Sequence, residues 1–308
     1  MASSSRRASK PRSLLALFGP TASGKTAVAG LLRERLGAEV ISADSAALYA
    51  RLPILTAAPP YPARLVGSVP LAEEVSVGAY QQLAHAAIDE VTAIGALPLV
   101  VGGTGLYLRA AVGRLDLPPA VPEGRRAFWE SEYERLGPSD AHTLLAERDP
   151  AAAERVHAND RKRVVRALEL VEVGASLAPA DDRLWSEDTR LPTTIVALDL
   201  PLVEVDRRIE SRTHEMVERG VVAEARAAWA EPRSQTASQV LGLEEFATLP
   251  VAEAVDRVIR STKRLARYQR KWLRRMPGVV TLDADRPAEE IADEIVALER
   301  SGERLPRR

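Results

Sequence analysis

The chain has no cysteine among its 308 residues, which excludes disulfides, thiolate metal sites and a cysteine nucleophile. It has almost no net charge: 42 Lys and Arg stand against 43 Asp and Glu, a formal balance of −1. Bulk attraction to nucleic acid or to a membrane is thereby excluded, and any such attraction must come from a local patch. No apolar run approaches the length of a membrane span. No repeat of solenoid period is visible, and no low-complexity tract lies beyond the N-terminus. What remains is an ordinary globular profile, 46% apolar and 28% charged, long enough for one large domain or two modest ones. The lack of cysteine is compatible with the cytoplasm, which is the expected location.

The opening "MASSSRRASKPRSLLALFGP" has basic residues and then a short apolar run, the outline of a signal peptide. That run is too short for a signal's apolar region and leads straight into a glycine turn. Residues 1–12 are therefore expected to form a disordered basic tail. "LLALF", "AEVISAD", "LPLVVGG" and "TTIVALDL" read as buried strands separated by helical segments such as "AYQQLAHAAIDEVTAIG". Such alternation predicts an α/β fold: a parallel sheet with helices on both faces. Some ninety residues separate the third and fourth strands, about the length of a small added domain. The proline-rich exit "DLPPAVPEGRR" opens this segment, and charged, alanine-rich helical sequence fills it. A helical insertion over 116–184 is expected, with the core formed by 13–115 and 185–308. After Leu200 the chain reads as helical again.

Gly19-Pro20-Thr21-Ala22-Ser23-Gly24-Lys25-Thr26 matches G-x-x-x-x-G-K-[ST] at every fixed position, after a strand and before a helix. Loop amides and the helix N-terminus point at an anion. Lys25 adds a charge, and the Thr26 hydroxyl is placed as a Mg²⁺ ligand. The loop predicts phosphate or diphosphate with Mg²⁺, and does not distinguish a kinase from other diphosphate chemistry. Asp44 and Ser45 end the second strand, where ligands of open α/β sheets lie. Asp44 reads equally as a general base, as an indirect Mg²⁺ ligand or as the N-cap of a following helix. In "GGTG", Gly102–Gly105, the glycines allow close approach of a ligand, and Thr104 offers either a hydroxyl to the cleft or a cap to a tight turn.

Taken in order, "GPTASGKT", "ISADS..LY", "VVGGTGLYLRA", "HANDRKRVVRALE" and "STKRLARYQRKWLRR" resemble the tRNA dimethylallyltransferase (tRNA isopentenyltransferase) family over about Leu15–Trp272. The resemblance implies transfer of the dimethylallyl group of dimethylallyl diphosphate to N6 of the adenosine just 3′ of a tRNA anticodon. It implies that Gly19–Thr26 hold the leaving diphosphate, with Asp44 as general base and Thr104 beside it. Arg264 or Arg267 would close on the diphosphate from the late basic helix. Asp44, Ser45, Ala46, Ala47, Thr104, Arg125, Arg161, Arg163 and Arg166 match positions that meet the tRNA anticodon stem-loop. Mg²⁺ is the implied cofactor, and a monomer with no membrane partner is expected.

Two basic patches suit RNA. Arg257–Arg275 holds nine Arg or Lys and no acid, with Tyr268 and Trp272 interleaved. It also reads as a solvated amphipathic helix with Leu265 and Trp272 packed. In "NDRKRVVRALE", Asn159 and Asp160 look like a helix start. Arg161, Arg163 and Arg166 then oppose the helix dipole, which favours RNA contact over an ion-pair role. His157 reads as structural rather than as a ligand. The chain departs from the family pattern at Ala47, at Pro53–Ala58 and at Ala63 and Arg64. It departs again at Tyr268 and at Leu241–Glu245. Rival readings are an adenylate isopentenyltransferase, which needs no insertion, a P-loop kinase of a small metabolite, and a non-catalytic tRNA-binding paralogue.

Overall fold

The computed structural model describes residues 13–119, 121–122, 124–178 and 183–301; the tail expected over residues 1–12 lies outside them. The chain divides into two units. One runs up to Arg114 and resumes at Leu184, and the other is Leu115–Arg183.

The first unit is a six-stranded, all-parallel sheet. In chain order it holds β1 (Leu14–Phe18), α1 (Lys25–Leu36), β2 (Ala38–Ser42), β3 (Ala63–Arg64), α2 (Val77–Ala93), β4 (Leu97–Gly102) and α3 (Gly105–Val112). The second unit intervenes with α4 (Arg125–Leu136), α5 (Pro138–Arg148), α6 (Pro150–Ala153) and α7 (Arg161–Glu172). The first then resumes with β5 (Thr193–Asp199), α8 (Leu202–Glu218), α9 (Val221–Trp229), α10 (Gln235–Ser238), α11 (Leu243–Thr248), α12 (Val251–Arg275), β6 (Val279–Asp283) and α13 (Ala288–Ser301). Strand order is β3-β2-β4-β1-β5-β6.

Strand β1 lies between β4 and β5 and is buried along its whole length, as the unbroken apolar run of a central parallel strand requires. Leu15 and Leu17 share one core with Leu32 of α1, Ile209 of α8 and Ile291 and Ile295 of α13. Alternation turns Ala16 and Phe18 to the opposite face, where α2 and α3 pack. Helix α2 buries Tyr80, Ala84, Ala87, Ile88 and Val91, a single stripe of helical period. Ser76 caps it by accepting from the Ala79 amide at 3.1 Å.

Two strands went unread in the sequence. Strand β3 is two residues long, and β6, "VVTLD", is a half-exposed edge after a Pro-Gly turn. The stretch after Leu200 is also divided: the left-handed Gly220, φ 95°, separates α8 from α9.

The second unit has its own core of Trp129, Tyr133, Leu145, Val156, Val164 and Leu168. Asp160 caps α7 by accepting from the Arg163 amide at 3.2 Å. His142 Nε2–H donates to the carbonyls of Ala153 and Val156, at 3.1 and 2.8 Å.

The ends of β2 and β4 are pressed together. A Cβ on Gly102 would lie 2.1 Å from Ala43 O and 2.5 Å from Ala43 C, both backbone atoms. Gly102→Ala is expected to force the strand ends apart and cost on the order of 1–3 kcal/mol, measured by urea denaturation. Unchanged stability would contradict this packing.

Candidate phosphate-transfer site

The loop between β1 and α1 owes its shape to two left-handed residues, Ala22 at φ 64° and Gly24 at φ 87°. Placed alternately in the chain, they turn successive amides into one concavity, a nest for an anion. Glycine takes that conformation freely. Ala22 does not, and a non-glycine residue held there stores strain of the kind found at ligand clamps. Gly19 and Pro20 are buried beneath the loop, while Gly24 and Thr26 face solvent at the start of α1. The Ser23 hydroxyl is buried and has no hydrogen-bond partner among the described residues.

Lys25 folds back on the loop, donating to Gly19 O at 2.8 Å and Pro20 O at 2.6 Å. Burial pushes its pKa down to about 7; Asp44 pulls it up and Arg212 presses it further down. Arg212 of α8 reaches the same loop and donates to Thr21 Oγ1 at 2.5 Å. Burial lowers its pKa too, against the pull of Asp44 and Glu215. Asp44 is thus the carboxylate that faces both loop cations.

Asp44 lies two residues past β2. Its Oδ1 accepts from the Ala46 amide at 3.0 Å, closing a turn; no helix follows, so the N-cap reading is set aside. Tyr80 donates to Ser42 O at 2.9 Å, and its ring meets Tyr107 at 4.3 Å. Burial raises the Tyr107 phenol to about 12, helped by Tyr49 and Asp44. Thr104 stands at the N-cap of α3, yet its side chain makes no capping bond. The cap reading is set aside here as well, and the hydroxyl is free to act elsewhere.

Other expectations change. Leu265 lies on the exposed side of α12, not the packed side, because the buried stripe runs through Val255, Val258, Thr262, Ala266 and Gln269. Trp272 is half-buried against Trp185, ring centroids 4.9 Å apart. Arg267 pairs with Asp206 at 2.9 Å, and Arg264 is exposed. The arginine that does meet the loop is Arg212. Ala47 is buried and its carbonyl accepts from Gly67, so its methyl group offers no surface to RNA. Ser45 and Ala46 beside it are half-exposed.

In the second unit, the dipole argument for α7 gives way to ion pairs. Arg161 pairs with Glu134 at 2.8 Å, and Arg166 with the buried Glu169 at 3.0 Å. Arg125 pairs with Glu172 and lies 4.4 Å from the centroid of the exposed Phe128 ring. Arg163 alone of these four is exposed with its side chain outside any ion pair described. His157 is exposed, and its Nδ1 accepts from the Asn159 amide at 3.1 Å.

The departures from the family pattern have local partners. The amides of Ile54 and Leu55 donate to Glu224 at 2.9 and 2.7 Å, and Arg64 pairs with Glu39 at 2.9 Å.

A residue that sequence reasoning missed had a readable signal. Arg212 lies beside the buried stripe Val205, Ile209, Thr213 and Met216 and is half-buried, so it is a charge at the margin of the core, where a partner is favoured. Gln269 lies on the buried stripe of α12 itself.

A parallel α/β sheet with an anion-binding nest after its first strand, and with Asp44 and Thr104 just past the ends of two neighbouring strands, defines a P-loop protein. A model of the IPP transferase family matches residues 47–276, and the chain belongs to that family. A tRNA dimethylallyltransferase of Acidothermus cellulolyticus is 39% identical, with 91% of each chain covered. The tRNA isopentenylpyrophosphate transferase of Bacillus halodurans superposes with a TM-score of 0.66 at 30% identity, over 94% of this chain and 98% of its own. A eukaryotic dimethylallyltransferase acting on tRNA reaches a TM-score of 0.77 at 22% identity, over 96% of this chain and 81% of its own, a likeness of fold.

The Lys25 environment fixes a pH dependence. Its folded pKa lies below the ordinary 10.5. The stability it costs is therefore largest below pH 7 and is relieved as pH rises from about 7 toward 10.5. A diphosphate beside the ammonium restores the charged form. Between pH 7 and 9, binding of the diphosphate should take up a proton that Lys25→Arg, which never loses its proton, does not. Calorimetry in buffers of different ionisation enthalpy reads the difference; equal proton counts for the two proteins would contradict it.

Proposed function

We propose that this protein transfers the dimethylallyl group of dimethylallyl diphosphate to N6 of the adenosine just 3′ of a tRNA anticodon. Family membership supports the reading, as do curated relatives named tRNA dimethylallyltransferase. The observation that carries it is the placement of Asp44, an acid that acts on both Lys25 and Arg212.

In this reading the Gly19–Thr26 loop receives the diphosphate, its amides and the two cations taking up charge as the carbon–oxygen bond breaks. Lys25 leaves the carbonyls of Gly19 and Pro20 for the phosphate oxygens. Arg212 fills the part that Arg264 or Arg267 was expected to play. The acceptor adenine lies over Asp44, which takes the proton N6 loses on attack, with the Thr104 hydroxyl beside the reacting centre.

Mg²⁺ is part of the proposal. Among the described residues no group of three or more His, Cys, Asp and Glu is placed to hold a metal. The hard oxygen of Thr26 fits an ion that takes its other ligands from diphosphate and water. Bound there, Mg²⁺ would supply further charge neutralisation to the leaving group.

The base must leave the anticodon loop to be reached. Ser45, Ala46 and Thr104 border that entrance. In the second unit, the exposed Arg163 and Phe128 offer a charge for phosphate and a ring for stacking. Arg125, Arg161 and Arg166 would contribute only by exchanging or sharing the acids they now hold. The reading implies a cytoplasmic monomer.

The test uses purified protein, an anticodon stem-loop and dimethylallyl diphosphate. Wild type should prenylate the RNA. Asp44→Ala should lower turnover on the order of 10²–10⁴-fold with RNA affinity unchanged. No transfer by the wild type, or full turnover by Asp44→Ala, would overturn the reading.

A further inference from the structure

We infer that Gln269 is a positioning residue that fixes the spacing between the phosphate loop and the turn carrying Thr104. The inference rests on the transfer reaction proposed above. Gln269 is 5% exposed, an amide on a buried stripe of α12 whose only other polar member is Thr262. Burying an amide is costly unless both of its ends are met. One end is settled by chemistry: the Thr21 amide donates to Oε1 at 2.7 Å, so Nε2 points the other way.

Nε2 faces Gly103. A Cβ on that glycine would lie 2.6 Å from Nε2 and 3.1 Å from Gly19 O. The phosphate loop, the Gly102–Gly105 turn and α12 therefore converge on one side chain. One turn further along α12, Trp272 covers Gly105, where a Cβ would lie 2.4–2.7 Å from its ring atoms. Trp272 is itself backed by Trp185, over which Arg275 lies at 4.0 Å. Thr104 sits between the two glycines that Gln269 and Trp272 cover.

Side chains three apart on one helix thus bracket Thr104, and one of them also holds the donor loop. The span matters more than the polarity. A shorter amide has the same groups and cannot reach Thr21 and Gly103 together.

The test compares Gln269→Leu and Gln269→Asn with wild type. Turnover, KM for each substrate, stem-loop affinity, thermal stability and binding of inorganic pyrophosphate with Mg²⁺ are measured. Both variants should lose turnover on the order of 10²-fold, the cost of about 1 Å of misplacement. Stem-loop affinity and melting temperature should stay near wild type. Pyrophosphate binding, which needs no RNA, should weaken about five- to tenfold as the Thr21 amide loses its acceptor. Wild-type turnover in Gln269→Asn, or a loss confined to RNA affinity or thermal stability, would overturn the inference. A wild type that transfers nothing to RNA would instead overturn the proposed function, with the pyrophosphate measurement still reading Gln269.

Discussion

Two half-buried cations, Lys25 and Arg212, share one half-buried carboxylate, Asp44, while Glu215 near Arg212 is exposed. That imbalance is the constraint on which the site depends. Taking a charge out of water is expensive, and a fold sustains it only where partners compensate. Here the compensation is partial: backbone carbonyls for Lys25, a hydroxyl for Arg212. The missing part is anionic, and the amide nest shaped by Ala22 and Gly24 lies where the anion would go. In the proposed reaction, the same carboxylate that tempers the two cations would be free to face the acceptor once a diphosphate has taken its place beside them.

The scaffold serves this arrangement by close packing at the strand ends. Gly102 lets β4 approach the backbone of Ala43, bringing the Asp44 and Thr104 turns side by side. Helix α12 then reaches across the loops with Gln269 and Trp272. The second unit follows a different logic. Its arginines are mostly committed to acids of its own helices, so its basic character toward solvent is narrower than a count of charges implies.

Much of this was legible in the sequence. The β1, β2, β4 and β5 segments are apolar runs bounded by turn residues, and the phosphate loop is fixed by residue types at fixed spacing. Strands β3 and β6 were not legible, because two residues and a half-exposed edge of five give no periodic signal. Asp44 and Thr104 could be placed at strand ends but not freed from capping roles. That required seeing that no helix follows Asp44 and that Thr104 leaves its own helix uncapped. Arg212 and Gln269 were hidden inside amphipathic helices, the one beside a mostly apolar stripe and the other on one. The ion pairs of Arg125 and Arg161 join residues 47 and 27 positions apart, which local charge patterning cannot reveal, whereas Arg166 pairs with Glu169 three residues along the same helix.

The most direct test of the central claim is a crystal structure of the protein with inorganic pyrophosphate and Mg²⁺. The account predicts the diphosphate within hydrogen-bonding distance of the Ser23–Thr26 amides, with Lys25 turned off Gly19 and Pro20 onto its oxygens and Arg212 alongside. Pyrophosphate bound elsewhere, or a filled loop with Lys25 still on the two carbonyls, would contradict it.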